Sequence, residues 1–444
     1  MRTNMKPIPI RTHEGGVASR INPEQMLRRS VMACMLWEDT FYEDGTSIAT
    51  RIAELIPQVD PDVVSKLAVM ARTEMNLRHA PLWLAVGMAR HGMLKAQVLA
   101  DTIRRADELA EFLSLYWSGG KCSLSAQVKK GLALAFPKFD AYQLAKYDRA
   151  NAVKLRDVLF LCHAKPKDAE QAATWKALID GTLPSPDTWE VAQSAGGAKK
   201  SALEKKENWE RLLTENRLGS LALLRNLRNM CESGVDQGLI KHALLAMDTS
   251  KVLPFRFIAA ARHAPQLESH IEVPFMASLE RLPKLSGRTA VLVDVSGSMV
   301  CPLSAKSDMH RIDAACGIAM CLREMCGDVD VFSFSEKTMR VANRHGIALR
   351  DAIVTSQPHS CTFMGDAVRG VIGKSQTDPY DRMIVVTDEQ AHDDVGGPQG
   401  RGYIINVASY KNGVNYGQWL HIDGFSEAVV KYLVEYERQF ACGN

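Results

Sequence analysis

The stretch VLVDVSGSM, residues 291–299, is where the reading of the fold turns. An apolar run ends at Asp294, and serines follow at positions 296 and 298. A buried strand that delivers a carboxylate and two hydroxyls at its exit either caps the next helix or prepares a cation site. Its surroundings decide the fold class first. The β-rich runs RTAVLVDVS (288–296), VDVFSFS (329–335), RMIVVTDEQ (382–390) and YIINVAS (403–409) alternate with helical stretches at 311–326, 346–356, 364–374 and 424–440. Near-continuous apolar strands between helices signal a parallel sheet covered on both faces, a doubly wound α/β domain.

Upstream the rhythm differs. PEQMLRRSVMACMLW (23–37), TSIATRIAELI (46–56), PDVVSKLAVMARTEM (61–75) and HAPLWLAVGMARHG (79–92) repeat apolar residues at steps of three and four, the period of amphipathic helices. Prolines stand at first-turn positions, as in Asp60-Pro61-Asp62. Short helices with short connections predict stacked pairs, an α-solenoid. The expected organisation is a tail at 1–22, an α-helical domain at 23–284 and an α/β domain at 285–444, with LPKLSGR (282–288) as the join.

The 444 residues exceed one ordinary core, and 46% hydrophobic with 24% charged residues is the composition of a globular protein. No apolar run reaches the roughly 18 residues of a membrane span. MRTNMKPIPIRTHEGG lacks the apolar segment of a secretory signal, so a cytoplasmic protein without a membrane partner is expected. Ten cysteines form no C-x-x-C pair, which predicts buried, reduced thiols. Charge is uneven. Residues 1–285 carry 39 Lys+Arg and 32 Asp+Glu, a net of +7; residues 286–444 carry 15 and 19, a net of −4. The interval 190–208, with Lys199, Lys200, Lys205 and Lys206, reads as an exposed loop or a basic arm.

Ligands of doubly wound sheets bind beyond the carboxyl ends of the strands. Asp294, Ser296 and Ser298 stand at such an end, Asp388 follows the strand IVVT, and Thr362 opens the intervening helix. Two carboxylates and three hydroxyls are hard oxygen donors. They suit one divalent cation, Mg²⁺ first, with Mn²⁺ or Ca²⁺ as alternatives. Singly, each piece reads as well as a helix cap or a turn former.

The series Asp294-x-Ser296-x-Ser298, then Thr362, then Asp388 resembles the metal-ion-dependent adhesion site of von Willebrand factor A domains. That resemblance implies a binding module whose metal captures a carboxylate from a protein partner. No nucleophile–base pair accompanies these residues, so an enzyme is not expected. LALLRNLRNM (221–230), KVLPFRFIAAARHAP (251–265) and MARTEMNLRHAPLWLAVGMAR (70–90), placed ahead of DVSGSM, resemble the TROVE family, which includes the Ro autoantigen and its bacterial relatives. The resemblance implies a single-chain ring of HEAT-like repeats closed by the von Willebrand A domain. It also implies binding of non-coding RNA: Y-like RNA on an outer basic surface and single-stranded 3′ ends of misfolded RNA at the central hole. Such a protein would act as chaperone or scaffold in RNA quality control, maturation or decay, beside an exoribonuclease.

Phosphate contacts need Lys and Arg, and bases stack on aromatic rings. Between Lys121 and Lys167 the chain is at its most basic, with Lys129, Lys130, Lys146, Arg149, Lys154, Arg156 and Lys165 interleaved with Phe139, Tyr142, Tyr147 and His163. LRDVLFLCHAKP (155–166) resembles the outer-surface RNA-binding region of the family, which places His163 and Lys165 near the RNA. Arg225, Arg228 and Arg256 complete the expected RNA set. The helical half is short for the family, which puts the Y-RNA surface at risk. Two alternatives use the same residues. One is a metal-dependent protein-interaction adaptor for an AAA+ ATPase; the other is a metal-dependent nuclease, disfavoured because a hydroxyl-rich single-metal site lacks the paired carboxylates of two-metal hydrolysis.

Overall fold

The computed structural model describes residues 11–12, 15–16, 22–32, 45–75, 77–148, 152–184, 189, 201–250, 252, 254–304, 307–408, 413–414, 417–424, 429–430, 433–434 and 436–437. Arg149, the lysines at 199 and 200, and most of the helix expected at 424–440 lie outside them. The chain divides into two compact units, residues 46–199 and residues 1–45 together with 200–444.

The first unit is built from helices α2 (Gly45–Leu55), α3 (Pro61–Thr73), α4 (His79–Arg90), α5 (Ala96–Thr102), α6 (Asp107–Tyr116), α7 (Ala126–Ala135), α8 (Ala141–Tyr147), α9 (Leu155–Cys162) and α10 (Ala169–Asp180). Local chemistry sets their starts. Asp60 accepts from the amides of Asp62 and Val63, and Pro61 occupies the first position, where no amide hydrogen is missed. Helices two apart in sequence stack: α3 on α5, α5 on α7, α7 on α9, and in a second layer α4 on α6. This is the solenoid rhythm expected of helix pairs. Between the layers, Arg72 of α3 pairs with the buried Glu108 of α6 at 2.7 Å. The other carboxylate oxygen of Glu108 accepts from the amides of Arg104 and Arg105, so both oxygens of the buried carboxylate have donors.

The second unit holds α1 (Pro23–Met32), α11 (Ala202–Thr214), α12 (Ser220–Glu232), α13 (Gln237–Ala246), α14 (Pro254–His263), α15 (Glu268–Glu280) and the sheet domain. Helix gives way to strand between Glu280 and Leu285. The strands β1 (Leu285–Asp294), β2 (Cys326–Phe334), β3 (Thr338–Arg340), β4 (Arg382–Thr387), β5 (Arg401–Asn406) and β6 (Leu420–Asp423) form one sheet in the order β3-β2-β1-β4-β5-β6. All pairs are parallel except β2 with β3. Helices α16 (Arg311–Met325), α17 (Gly346–Val354) and α18 (Met364–Lys374) alternate with the strands. Ala290 and Leu292 of β1 join Met383, Val385 and Ile404 in a buried cluster under Met364, Ala367 and Val368 of α18. Alternation sends Val291 and Val293 to the opposite face, where α16 packs on β1. Truncating Leu292 to Ala in such a site costs about 2–5 kcal/mol.

Two features depart from the sequence reading. The edge strands β3 and β6 were not expected. The cysteines are free as expected, but of the eight described only Cys162, Cys316, Cys321 and Cys326 are buried, while Cys122 is exposed. Cys122 sits in an irregular segment, where no packed face covers it.

Candidate metal centre and nucleic-acid interface

β1 ends at Asp294, whose carboxylate is fixed from both sides. Its Oδ1 accepts from the Ser296 amide at 2.9 Å, and its Oδ2 accepts from the Thr387 hydroxyl at 2.6 Å. The Ser296 and Ser298 hydroxyls lie 3.3 Å apart. The loop before α18 is fastened over them: Gly297 donates its amide to the Ser360 carbonyl at 2.9 Å, and the His359 ring is 2.6 Å from the Val295 carbonyl. Thr362 is tied to His392 by two hydrogen bonds, one through each backbone group. Asp388 stands one residue past β4, its Oδ2 3.1 Å from a guanidinium nitrogen of Arg311, which also donates to the Ser298 carbonyl at 3.3 Å. Asp294, Ser296 and Ser298 thus stand at the carboxyl end of β1 and Asp388 at that of β4, while Thr362 lies in the loop tied to the β1 exit through Ser360. Asp294, Ser296, Thr362 and Asp388 are buried.

Burial, and next the Asp388 charge, push the Asp294 carboxyl up to about 7 against the hydrogen bonds from Ser296 and Thr387. Asp294 and Asp388 bring two buried carboxylates to neighbouring strand ends, with Arg311 beside Asp388. With the serine and threonine hydroxyls nearby, that oxygen donor set fits a hard divalent cation. Arg311 was missed in the sequence. Its signal is its position: a cation in the first turn of a helix opposes the helix dipole unless a carboxylate offsets it.

The residue after Asp388 is unusual too. Glu389 is fully buried at φ +59°, a conformation uncommon outside glycine. Its carboxylate is held by Arg29 of α1 and His421 of β6, and Arg29 also pairs with Asp423 at 2.8 Å. Two residues on, the Ala391 carbonyl accepts from the Thr12 hydroxyl at 2.9 Å. A β-carbon on Gly16 would lie 2.2 Å from that same carbonyl, so only glycine fits there.

The basic residues fall in both units. Within residues 46–199, α9 buries Leu155, Val158, Leu159 and Cys162. It exposes Arg156 and Phe160, four residues apart on one face, and His163 is exposed just past its end. Phe160 is 57% exposed. His163 adopts φ +54° and ends the helix, and Lys165 follows in the exposed segment. At the helix start the Asp157 carboxylate accepts from the Lys154 amide at 2.9 Å. Lys130 is exposed on α7, Lys129 is half-buried, and Lys146 lies 5.8 Å from the Tyr147 ring, which Arg105 also covers. Lys138, by contrast, donates to the carbonyls at the end of α5 and has a structural task. In the other unit, α12 packs on α14 and exposes Arg225 beside Arg256. Crowding by protein, and then the Arg225 charge, hold Arg256 below its ordinary pKa. Arg228 pairs with Glu232 at 3.7 Å on an exposed helix face.

Residues 176–285 match the family model of the TROVE domain. The similarity to a TROVE domain spans 110 residues, about a quarter of the chain. A crystal structure of the Deinococcus radiodurans Ro (Rsr) protein matches at a TM-score of 0.63 and 17% identity, covering 94% of this chain and 100% of that chain. At this identity the likeness shows the fold, which is Ro-like. No curated protein matches the chain. The matched TROVE segment contains the Arg225–Arg256 pair and closes at Leu285, where β1 begins. Phe160 lies upstream of that segment, and the sequence reading missed it because LRDVLFLC is apolar at nearly every position. Only the buried set of α9 shows which apolar side chain is left outside.

Proposed function

We propose that this TROVE protein binds non-coding RNA as a chaperone or scaffold in RNA quality control, maturation or decay, taking Y-like RNA or single-stranded 3′ ends. One observation carries the reading: Arg156 and Phe160 exposed on one face of α9, with exposed His163 just past its end. An aromatic ring left in water between two nitrogen-bearing side chains offers a stacking platform with phosphate partners on either side, and base–aromatic stacking is worth about 1–3 kcal/mol. Lys130, Lys165 and Lys146 extend the positive field. Arg225, exposed beside Arg256, offers a second place for a phosphate contact. An exoribonuclease is the partner class that fits an RNA-presenting role. The test is RNA recovered with the purified protein: salt-sensitive RNA is expected, and protein free of nucleic acid with no salt-sensitive affinity for single-stranded RNA would refute it.

For the sheet domain the proposed ligand is one divalent cation, Mg²⁺ in the first place. Asp294, Ser296, Ser298, Thr362 and Asp388 would hold it, and the bound ion would supply an electrophilic site for a carboxylate of a protein partner. The chain's own residues prepare that site: Thr387 and the Ser296 amide orient Asp294, and Arg311 holds Asp388. Calorimetric titration with Mg²⁺, Mn²⁺ and Ca²⁺ tests this reading, with binding lost in Asp294→Ala.

A further inference from the structure

A second charged site lies on the sheet domain, away from the metal donors. β3 is three residues long and pairs only with Phe332–Phe334 of β2. Below it the outer edge of β2 at Val329–Val331 is not covered by a strand, and a cavity of about 400 Å³ opens there. Arg323 from α16, Arg340 from the end of β3 and Arg344 from the following loop line it, over a floor that includes Val331 and Val341. Arg323 is anchored by donating to the Val329 carbonyl at 3.0 Å. The Val341 amide donates to the Val331 carbonyl at 2.9 Å, which fixes the loop carrying Arg344.

The charge does not balance. Among the described residues lining the cavity, Asp330 is the one acid. Its carboxylate is already shared by Arg340, by Arg288 at 3.2 Å and by the Tyr380 hydroxyl at 2.7 Å. Three guanidiniums from three separate segments therefore converge on a concave surface with a fraction of one carboxylate between them. This occurs in a domain whose net charge is −4, so the cluster is not a by-product of a basic composition. Guanidinium forks match phosphate oxygens in geometry as well as charge. The space exceeds that of a bare phosphate, and its apolar floor suits a sugar or base.

We propose that this cavity binds the phosphate of a nucleotide, either a terminal monoester or an internal phosphodiester of a single strand. The site is independent of the α9 surface and of the Arg225–Arg256 pair, so the test uses the full chain carrying Arg156→Ala, Phe160→Ala, Arg225→Gln and Arg256→Gln, which removes both proposed helical contacts. Inorganic phosphate, AMP and a hexauridylate without terminal phosphates are titrated by calorimetry at constant ionic strength. AMP is expected to bind saturably and more tightly than inorganic phosphate. Hexauridylate binding assigns the site to internal phosphodiesters; AMP binding without it assigns the site to terminal phosphates. Arg344→Gln and Arg340→Gln should each weaken binding by roughly tenfold, as loss of one charge-assisted contact implies. Arg344→Lys should recover part of the loss, and thermal melts check that each variant is folded. Absence of saturable binding by AMP and hexauridylate alike, or binding unchanged in the Arg340→Gln/Arg344→Gln double variant, would overturn the assignment.

Discussion

Arg311 is the buried positive charge facing Asp388, and its role can be isolated by one substitution. Arg311→Met leaves the buried Asp388 without that partner, and breaking a buried pair in this way costs about 3–5 kcal/mol. The metal-free variant should melt several degrees below the parent chain. Because Asp388 is then released for a cation, Mg²⁺ should raise the melting temperature of the variant by more than it raises that of the parent. An equal or smaller increment in a thermal-shift titration would count against the site. Asp294 adds a pH dependence. Its folded carboxyl is pushed up to about 7, so below that pH a proton competes for the oxygen that a cation needs. Cation affinity should fall as pH drops from about 8 to about 5, by up to roughly tenfold per unit below the pKa. Calorimetry across that range measures it.

Among the helices, α1 is one whose place could not be foreseen. Its helical pattern was legible, but its partner was not, because Arg29 and Asp423 are 394 residues apart in the chain. Arg29→Met would strand Glu389 and Asp423 together. Asp423 is pushed up to about 6 by burial first, with Glu389 adding to it and Arg29 opposing. Since its folded value lies above its unfolded one, the stability it contributes is full below the unfolded value and is lost as pH rises through about 6. The melting deficit of Arg29→Met should therefore be larger at about pH 8 than at about pH 5, and a pH-independent deficit would contradict the cluster as described.

Legibility followed physical cause at this scale. The helices from Pro61 to Arg90 were readable because caps and first-turn prolines mark their starts. β1 and β4 were readable because both of their faces are buried, which leaves unbroken apolar runs. β3 and β6, at three and four residues, are too short to show any period, and both depend on neighbouring strands for their pairing. The five oxygen donors were found because a strand exit is visible in sequence. Arg311, Glu389 and the arginines around Asp330 were not, since each is defined by contacts with distant segments. Phe160 belongs to the same class: its exposure is settled by which neighbours α9 buries, not by its own chemistry.

For the whole molecule, the uneven charge sets the expectations. A net of +7 over residues 1–285 is too small to bind polyanions by bulk field, so affinity must come from local groups such as α9 and the Arg225–Arg256 pair. Each phosphate contacted by a basic residue should add about −0.7 to the slope of log affinity against log salt for a single strand. Arg225→Gln should therefore reduce the slope while leaving stability near that of the parent, because the side chain is exposed. The measurement closest to the central claim is fluorescence anisotropy of a labelled single-stranded RNA with the full chain, with Phe160→Ala and with Arg156→Ala. RNA binding is predicted for the parent chain. Phe160→Ala should weaken it by roughly tenfold or more with the salt slope unchanged, as loss of one stacked base implies, and Arg156→Ala should weaken it with a shallower slope. No binding by the parent chain, or equal binding by all three proteins, would contradict the account.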